Sequence, residues 1–200
     1  MPSRKRLIFS LSILIAAAVL GGLLWFMPGR SHNPVAIGEA LVGGPFAMTN
    51  QDGNRVTEKD FLGSYMLVFF GFTYCTDVCP TELQVMTAAL DQMGEAGGKI
   101  QPVFVTVDPE RDTPETLKAY VQNFSPRLIG LTGSAEDVAA MAKAYRVYYR
   151  KVANGTGKDY EMDHSSIIYL MGPDGKFVKH FTYTTDAKAL AAFLAEAISG

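Results

Sequence analysis

Two long apolar runs constrain the fold more than any other feature of this sequence. Residues 65–72 read YMLVFFGF, and residues 101–107 read QPVFVTV. A strand that is apolar at nearly every position is typically buried on both faces, as the central strands of an α/β sheet are. Helix signals follow both runs, so the sequence predicts strands that alternate with helices.

The helix signals are of three kinds: apolar residues at helical spacing, N-cap residues and a capping box. Predicted helices cover residues 80–93, a segment that opens at Thr113-Pro114, a segment that opens at the capping box of residues 134–137, and residues 186–199.

Three more strands complete the prediction. Residues 128–131 and 166–171 are apolar, and a Gly-Pro-Asp-Gly turn joins the second of them to a hairpin partner at 176–183. Repeated strand–helix alternation followed by a hairpin and a last helix predicts an α/β thioredoxin-like fold, a central mixed β-sheet flanked by helices.

The N-terminus has the pattern of a membrane anchor. Arg4, Lys5 and Arg6 precede the uncharged residues 7–27, which as a helix would be about 31 Å long, enough for a hydrocarbon core of about 30 Å. A cleavable signal peptide has a shorter apolar core and a small-residue cleavage site. The sequence after residue 27, PGRSHN, lacks such a site, which favours an uncleaved transmembrane helix.

The chain therefore divides into four predicted parts. Residues 1–6 form a cytoplasmic basic stub, 7–27 a transmembrane anchor, 28–40 a linker rich in Gly, Pro, Ser and Asn, and 41–200 the folded domain. Because basic flanks stay in the cytoplasm, we expect a single-pass protein of the inner, cytoplasmic membrane whose domain faces the periplasm or the outside.

The net charge of the exported part, which follows residue 27, argues against a nucleic-acid partner. Three of the 18 basic residues and none of the 20 acidic residues lie in the first 27 positions, so the remainder has a net charge of −5. Nucleic-acid binding calls for a basic surface, so no nucleic-acid partner is expected. The exported compartment is oxidising, and free thiols there pair unless a reductant or a metal holds them.

The only two cysteines, Cys75 and Cys79, lie between the first central strand and the next helix. A structural disulfide there would close too short a loop to add much stability. The top of a strand-to-helix turn is where α/β folds place functional sites, and a helix N-terminus favours thiolates. If the first helical turn includes both cysteines, they share a face. The pair is therefore expected to have a redox or a metal-binding role.

The cysteine spacing and the position of one histidine favour a metal site but leave a redox role open. C-x-x-x-C departs from the C-x-x-C of thioredoxin-type catalysts and suits a soft metal. His32 lies in the linker and His180 on a strand, whereas His164 precedes the strand at 166–171, beside the predicted helix. The position of His164 alone does not decide whether it is a metal ligand or a hydrogen-bonded loop residue.

A Cys₂His set suits copper, and zinc with a fourth ligand is an alternative. Asp163 is a candidate acceptor that would orient the His164 ring, and Asp77 is expected to help cap the helix. The Gly-rich segment 152–162 is predicted to be a loop that moves His164. Asp108 and Arg111 are expected to form an ion pair, to which we assign no chemistry.

Three segments, FTYCTDVCPTEL, FVTVDPERDTPETLKAY and DHSSIIYLMGPDG, resemble the synthesis-of-cytochrome-c-oxidase family, called Sco or SenC, over residues 41–199. The resemblance implies a membrane-anchored copper protein that assists assembly of the dinuclear copper centre in cytochrome c oxidase subunit II. It also implies Cys75, Cys79 and His164 as ligands of Cu(I) or Cu(II), and thiol–disulfide reduction of the target. The expected partners are that subunit or a similar copper acceptor, and other periplasmic copper chaperones or thiol reductants.

We therefore expect a copper metallochaperone with coupled thiol–disulfide chemistry. The alternative is a thiol–disulfide oxidoreductase that uses Cys75 as nucleophile and Cys79 as resolving thiol, or the reverse, without obligatory copper. A peroxiredoxin-like peroxidase is a minor alternative: Thr76 fits the P-x-x-x-T-x-x-C pattern, but Phe72 occupies the proline position. A generic reductase is disfavoured because DHSSII lacks the proline of that fold's active-site strand.

Overall fold

The computed structural model describes residues 42–153 and 160–199. These residues belong to the second of the two units into which the chain divides, Ala40–Gly200. The predicted stub, anchor and linker, residues 1–40, lie outside the described residues. Within the described ranges, no helix is long and apolar enough to span a membrane.

Nine strands and four α-helices make up the described part of the chain. The strands are β1 (Ala47–Asn50), β2 (Arg55–Thr57), β3 (Tyr65–Gly71), β4 (Ile100–Thr106), β5 (Ile129–Thr132), β6 (Tyr149–Ala153), β7 (Tyr160–His164), β8 (Ile167–Met171) and β9 (Phe177–Thr182). The helices are α1 (Val78–Gln92), α2 (Pro114–Val121), α3 (Ala135–Ala144) and α4 (Ala187–Ser199), and short 3₁₀ helices cover Glu58–Phe61 and Gly94–Lys99.

Seven of the strands form one mixed sheet in the order β2-β1-β5-β4-β3-β8-β9. The three inner strands β5, β4 and β3 are parallel, and the remaining pairs are antiparallel. The predicted central mixed sheet is confirmed. The two apolar runs are its neighbouring strands β3 and β4, which is the position that their continuous hydrophobicity predicts.

The core lies around these two strands. Phe69 and Phe70 of β3 and Phe104 of β4 are fully buried. Helices α1 and α4 pack against each other, and α2 packs on β5. Each helix buries an apolar stripe, whose members include Leu83, Met86 and Leu90 in α1, Leu117 in α2, Val138 and Met141 in α3, and Leu190 and Leu194 in α4.

The predicted starts of α2 and α3 are confirmed in atomic detail. Thr113 Oγ1 accepts a hydrogen bond from Thr116 N at 3.3 Å. In α3, Ser134 Oγ accepts from Asp137 N, and the Asp137 carboxylate accepts from Ser134 N, both at 3.1 Å. This reciprocal pair satisfies two amide groups that a helix start leaves without partners.

Two local predictions differ from the structure, and one strand pair was not predicted. Helix α1 begins at Val78, two residues before the predicted start, because Pro80 is tolerated within a first helical turn. The antiparallel pair β1–β2 was not predicted, since both strands are short and mostly half-buried. At the two ends of the predicted loop 152–162, residues 152–153 and 160–162 belong to β6 and β7, an antiparallel pair (the hairpin) that forms a separate two-stranded sheet; residues 154–159 lie outside the described ranges.

The sheet order brings three connections to one edge. Parallel β3 and β4 end side by side, and antiparallel β8 begins there, with Ile168 opposite Phe69. Residues 72–77, 107–113 and 165–166 therefore meet at the carboxyl edge of β3, where α/β folds place binding sites.

Ser134→Ala is expected to lower the free energy of unfolding by about 1 kcal/mol, because it removes the acceptor for Asp137 N. Urea unfolding followed by circular dichroism measures the change. Ser134→Thr keeps a capping hydroxyl and is the control. Equal stability of Ser134→Ala and wild type would contradict the assigned cap.

Candidate metal centre

Two sulfurs and one imidazole nitrogen converge at this edge of the sheet. The ligand atoms of Cys75, Cys79 and His164 all lie within 4.8 Å of one another. Among the described residues, no other group of three or more Cys, His, Asp and Glu side chains is placed to hold a metal ion. His180 is exposed on β9, and His32 lies outside the described residues.

A turn, and not a shared helix face, brings the two cysteines together. Because α1 begins at Val78, Cys75 precedes the helix, and Cys75 N donates to Phe72 O at 3.2 Å. The turn folds back so that Cys79 N donates to Cys75 Sγ at 3.3 Å. Both thiols are free, Cys75 half-buried and Cys79 buried. Asp77 occupies the N-cap position, but its side chain makes no capping hydrogen bond.

His164 is the last residue of β7, and its two ring nitrogens have different surroundings. Nε2 lies 3.5 Å from Cys79 Sγ, and Nδ1 lies 3.2 Å from the carbonyl oxygen of Ser165. A proton on Nδ1 would be donated to that carbonyl, which leaves the lone pair of Nε2 directed at the sulfur. The rings of Phe69 and Phe72 lie in T-shaped arrangements with the imidazole, at centroid distances of 6.1 and 5.8 Å.

Asp163 does not support the His164 ring as predicted. Its carboxylate accepts from Arg150 Nε at 3.0 Å and Arg150 Nη2 at 2.9 Å, on the exposed side of the hairpin. Neighbouring residues of a strand point to opposite faces, so Asp163 faces solvent while His164 faces the cysteines. The backbone carbonyl of Ser165, and not the Asp163 carboxylate, lies where an acceptor for the His164 ring was predicted.

Gly71 allows Cys79 to approach the end of β3. A Cβ atom on Gly71 would lie 2.7 Å from Cys79 Sγ and 2.9 Å from Phe104 Cε2. Real Cβ atoms do not approach that closely, so any side chain at position 71 would displace the sulfur or the ring. Glycine is therefore required here for space rather than for backbone conformation.

Asp112 is hydrogen-bonded to the turn that carries the cysteines. Its buried carboxylate accepts from Thr73 N at 3.0 Å, Thr73 Oγ1 at 2.5 Å and Thr106 Oγ1 at 2.6 Å. Burial raises the pKa of Asp112, and the three donors oppose that rise. Thr132 Oγ1 donates to the Asp112 carbonyl at 2.7 Å, which ties the network to β5.

Asp108 and Arg111 form the predicted ion pair. Asp108 is fully buried, and its other oxygen accepts from Tyr160 Oη at 2.7 Å. The pair therefore contacts the hairpin that carries His164, a connection that no local sequence pattern predicts.

The two thiols have pKa values shifted in opposite directions. A hydrogen bond from the Cys79 thiol is the main cause that lowers the pKa of Cys75 to about 3, and the backbone amides of Cys79 and Asp77 add to it. The same hydrogen bond, together with burial, raises the pKa of Cys79. These opposite shifts favour a thiolate at Cys75 and a thiol at Cys79 in the reduced pair. The helix N-terminus was expected to favour thiolate at both positions.

The residues that sequence reasoning missed around the site are Gly71, Thr73, Asp112 and Tyr160. A usable signal existed for Asp112, because an acidic residue follows closely on a buried strand that is parallel to the strand of the cysteines. Gly71 sits at the last position of β3. Nothing in the local pattern identifies Tyr160, because its partners lie 49 and 52 residues away.

The fold and site together define a class: an α/β protein with a soft Cys₂His ligand set at the carboxyl edge of its sheet. A sequence model of the SCO1/SenC family matches residues 35–199. The chain belongs to the SCO1/SenC family.

Individual relatives agree with this assignment. The human mitochondrial SCO1 homolog is 45% identical over 161 residues, which cover 80% of this chain and 54% of that protein. The chain thus spans about half the length of that relative. A crystal structure of Arabidopsis thaliana ScoI with copper bound is 45% identical with a TM-score of 0.75, covering 79% of this chain and 98% of that one. Bradyrhizobium japonicum ScoI with copper bound is also 45% identical, with a TM-score of 0.72, covering 78% and 98%.

Cys75 of the reduced, metal-free protein is expected to react with iodoacetamide at a rate that changes little between pH 8 and pH 5. Its lowered pKa keeps it a thiolate across that range, whereas an ordinary thiol reacts about tenfold more slowly per pH unit below its pKa of about 8.5. Mass spectrometry of the labelled peptides measures each rate.

Cys79→Ala is the matched control for this measurement. It removes the main donor to Cys75, so the rate of Cys75 should become steeply dependent on pH. Faster labelling of Cys79 than of Cys75 in wild type would contradict the assigned proton position.

Gly71→Ala is expected to lower the free energy of unfolding by about 1–3 kcal/mol, because the new methyl group overlaps Cys79 Sγ and the Phe104 ring. Urea unfolding measures the loss. Gly98→Ala is the control, since a Cβ there meets no atom within 4 Å. Equal losses in the two variants would argue against close packing at Gly71.

Proposed function

We propose that this protein is a membrane-anchored copper metallochaperone that binds copper through Cys75, Cys79 and His164. It assists assembly of the dinuclear copper centre of cytochrome c oxidase. The observation that carries the proposal is the convergence of these three ligand atoms within 4.8 Å at one edge of the sheet.

The chemistry of the donor set favours copper. Thiolates are soft ligands that select Cu(I), and two thiolates with one imidazole can also hold Cu(II) when a weak further ligand is added. The orientation of His164 fits this role, because Nδ1 faces a carbonyl and Nε2 faces the sulfur. Structural zinc sites are closed and four-coordinate, and among the described residues only three ligands of the usual kinds meet here.

The unequal exposure of the two cysteines suits a copper ion that has to be transferred to an acceptor protein. Cys75 is half-buried in the turn, whereas Cys79 lies at 0% exposure beneath it. An acceptor thiolate would replace Cys75 first, and Cys79 and His164 would release the ion afterwards. Such stepwise ligand exchange avoids a free copper ion and needs no deep substrate pocket.

Oxidation of the two thiols would prevent copper binding, since a Cys75–Cys79 disulfide removes two of the three ligands.

The opposite pKa shifts of the thiols favour a second candidate function, thiol–disulfide oxidoreduction. The Cys75 thiolate would attack a target disulfide and release one target thiolate. Cys79 would then attack Cys75 Sγ and release the second. Two electrons pass to the target, and the chain is left with a disulfide.

The proposed location follows from the N-terminal pattern. Residues 7–27 would anchor the domain to the cytoplasmic membrane with the copper site outside, near membrane-bound cytochrome c oxidase. The proposed acceptor is subunit II or a similar copper protein. Other exported copper chaperones or thiol reductants would load or reduce the site.

The test is titration of the full chain, reduced and in nonionic detergent, with Cu(I) and with Cu(II). We expect one copper per chain and, for Cu(II), a sulfur-to-copper charge-transfer band. His164→Ala should weaken binding by more than about 100-fold, because loss of a partner behind a ligand already costs 10–100-fold. His180→Ala is the matched control and should bind as wild type does.

One result would reverse the order of the two candidate functions. If wild type and His164→Ala hold copper equally poorly and both reduce a model disulfide, the protein is an oxidoreductase whose cysteines are not primarily metal ligands.

A further inference from the structure

The hairpin that carries His164 is not hydrogen-bonded into the central sheet. Strands β6 and β7 pair only with each other. Tyr149 of β6 lies opposite His164, and Ala153 lies opposite Tyr160. Backbone pairing thus makes the hairpin one unit, and the link of residues 165–166 joins its His164 end to β8. This short link does not fix the direction of the hairpin against the cysteines, so side-chain contacts must do so.

One face of β7 provides these contacts. Tyr160, Met162 and His164 alternate along the strand and share a face. Met162 is 6% exposed and packs in the core, while Glu161 and Asp163 are exposed. Tyr160 and His164 are therefore the two ends of one inward-facing row, about 13 Å apart at roughly 3.3 Å per residue.

The Tyr160 end is bound to the connection after β4. Tyr160 Oη donates to buried Asp108 Oδ1 at 2.7 Å, and Arg111 Nη1 donates to the Tyr160 carbonyl at 3.0 Å. Asp108 also pairs with Arg111. A second ion pair joins the same connection to β6, with Lys151 Nζ 2.5 Å from Glu110 Oε2.

Arg111 also reaches the cysteine turn. Its guanidinium carbon lies 3.9 Å from the ring centroid of Tyr160, 4.6 Å from that of Tyr74 and 5.8 Å from that of Phe72. Planar guanidinium groups stack on aromatic rings in this way, and an ammonium group cannot reproduce the arrangement. Tyr74 is the residue before Cys75, and Phe72 contacts the His164 ring. One side chain therefore touches both segments that supply ligands.

We propose that Asp108, Arg111 and Tyr160 form a clamp that positions His164 against the two cysteines. The three are positioning residues and do not touch the metal. The proposal rests on the proposed copper site and assigns a role to the ion pair. Without the clamp, the hairpin would keep its own pairing but lose its fixed distance from Cys79 Sγ.

The test compares Arg111→Lys with wild type in the full chain. Lysine keeps a positive charge beside Asp108 but loses the stacking and the bond to the Tyr160 carbonyl. We expect Cu(I) affinity, measured by competition with a chromophoric chelator, to fall about 10–100-fold. The Cu(II) charge-transfer band should shift, and amides of β6 and β7 in the metal-free protein should exchange faster with deuterium.

Tyr160→Phe is the second variant. It removes only the hydroxyl that binds Asp108 and keeps the ring under Arg111, so it should change the same three quantities in the same direction by a smaller factor.

Arg127→Lys is the matched control. Arg127 Nη2 donates to the carbonyls of Gly97, Gly98 and Ile100, at the opposite end of β4 from the site. Its loss should lower stability to urea without changing copper affinity or the exchange of the hairpin. The clamp is overturned if Arg111→Lys binds copper as wild type does, or if Arg127→Lys loses as much copper affinity.

The metal-free exchange data separate this inference from the proposed function. If wild type binds no copper, the proposed function fails. The clamp is then judged by exchange in β6 and β7 and by the NMR shifts of the His164 ring. Faster exchange and shifted ring signals in Arg111→Lys, but not in Arg127→Lys, support it. Unchanged exchange in Arg111→Lys overturns it.

Discussion

The hydrogen bonding of β3 between β4 and β8 is the constraint on which the site depends. β3 pairs in parallel with β4 along its whole length, and it pairs antiparallel with β8 from Met66 to Phe69. Parallel strands end at the same edge, and an antiparallel neighbour begins there. The connection with the cysteines, the connection with the buried aspartates and the short link after His164 are thereby brought together, although they are up to about 90 residues apart in the chain.

Buried polar groups then convert this rough proximity into a defined geometry. The Asp112 carboxylate would be costly to bury alone, and it is satisfied by Thr73 and Thr106. The same bonds hold the turn that presents Cys75. Asp108 is satisfied in a similar way by Arg111 and Tyr160. The need to hydrogen-bond two buried carboxyl groups thus ties both ligand-bearing segments to the connection after β4.

The unequal environment of the two thiols suits both proposed functions. Half-buried Cys75, whose lowered pKa favours the thiolate, is accessible to an acceptor or to a disulfide, while the raised pKa of buried Cys79 favours keeping the proton there. Metal binding or disulfide formation must displace that proton. The two proposed functions, copper transfer and thiol exchange, would therefore begin from the same reduced state, and the partner would decide between them.

The sequence by itself determined the central strands and the helix starts at Thr113 and Ser134, because apolar runs and caps are local signals. It marked Cys75 and Cys79 as a functional pair, but the position of His164 left its role open, and only the family resemblance implied all three as ligands. Only the tertiary structure decided the β6–β7 hairpin, the pairing of Asp163 with Arg150, and the contacts of Arg111 with both ligand segments. These depend on which strands become neighbours and which way each side chain points. A single hydrogen bond between residues about 50 positions apart leaves no periodic trace in the sequence, so it becomes visible only when the chain is folded.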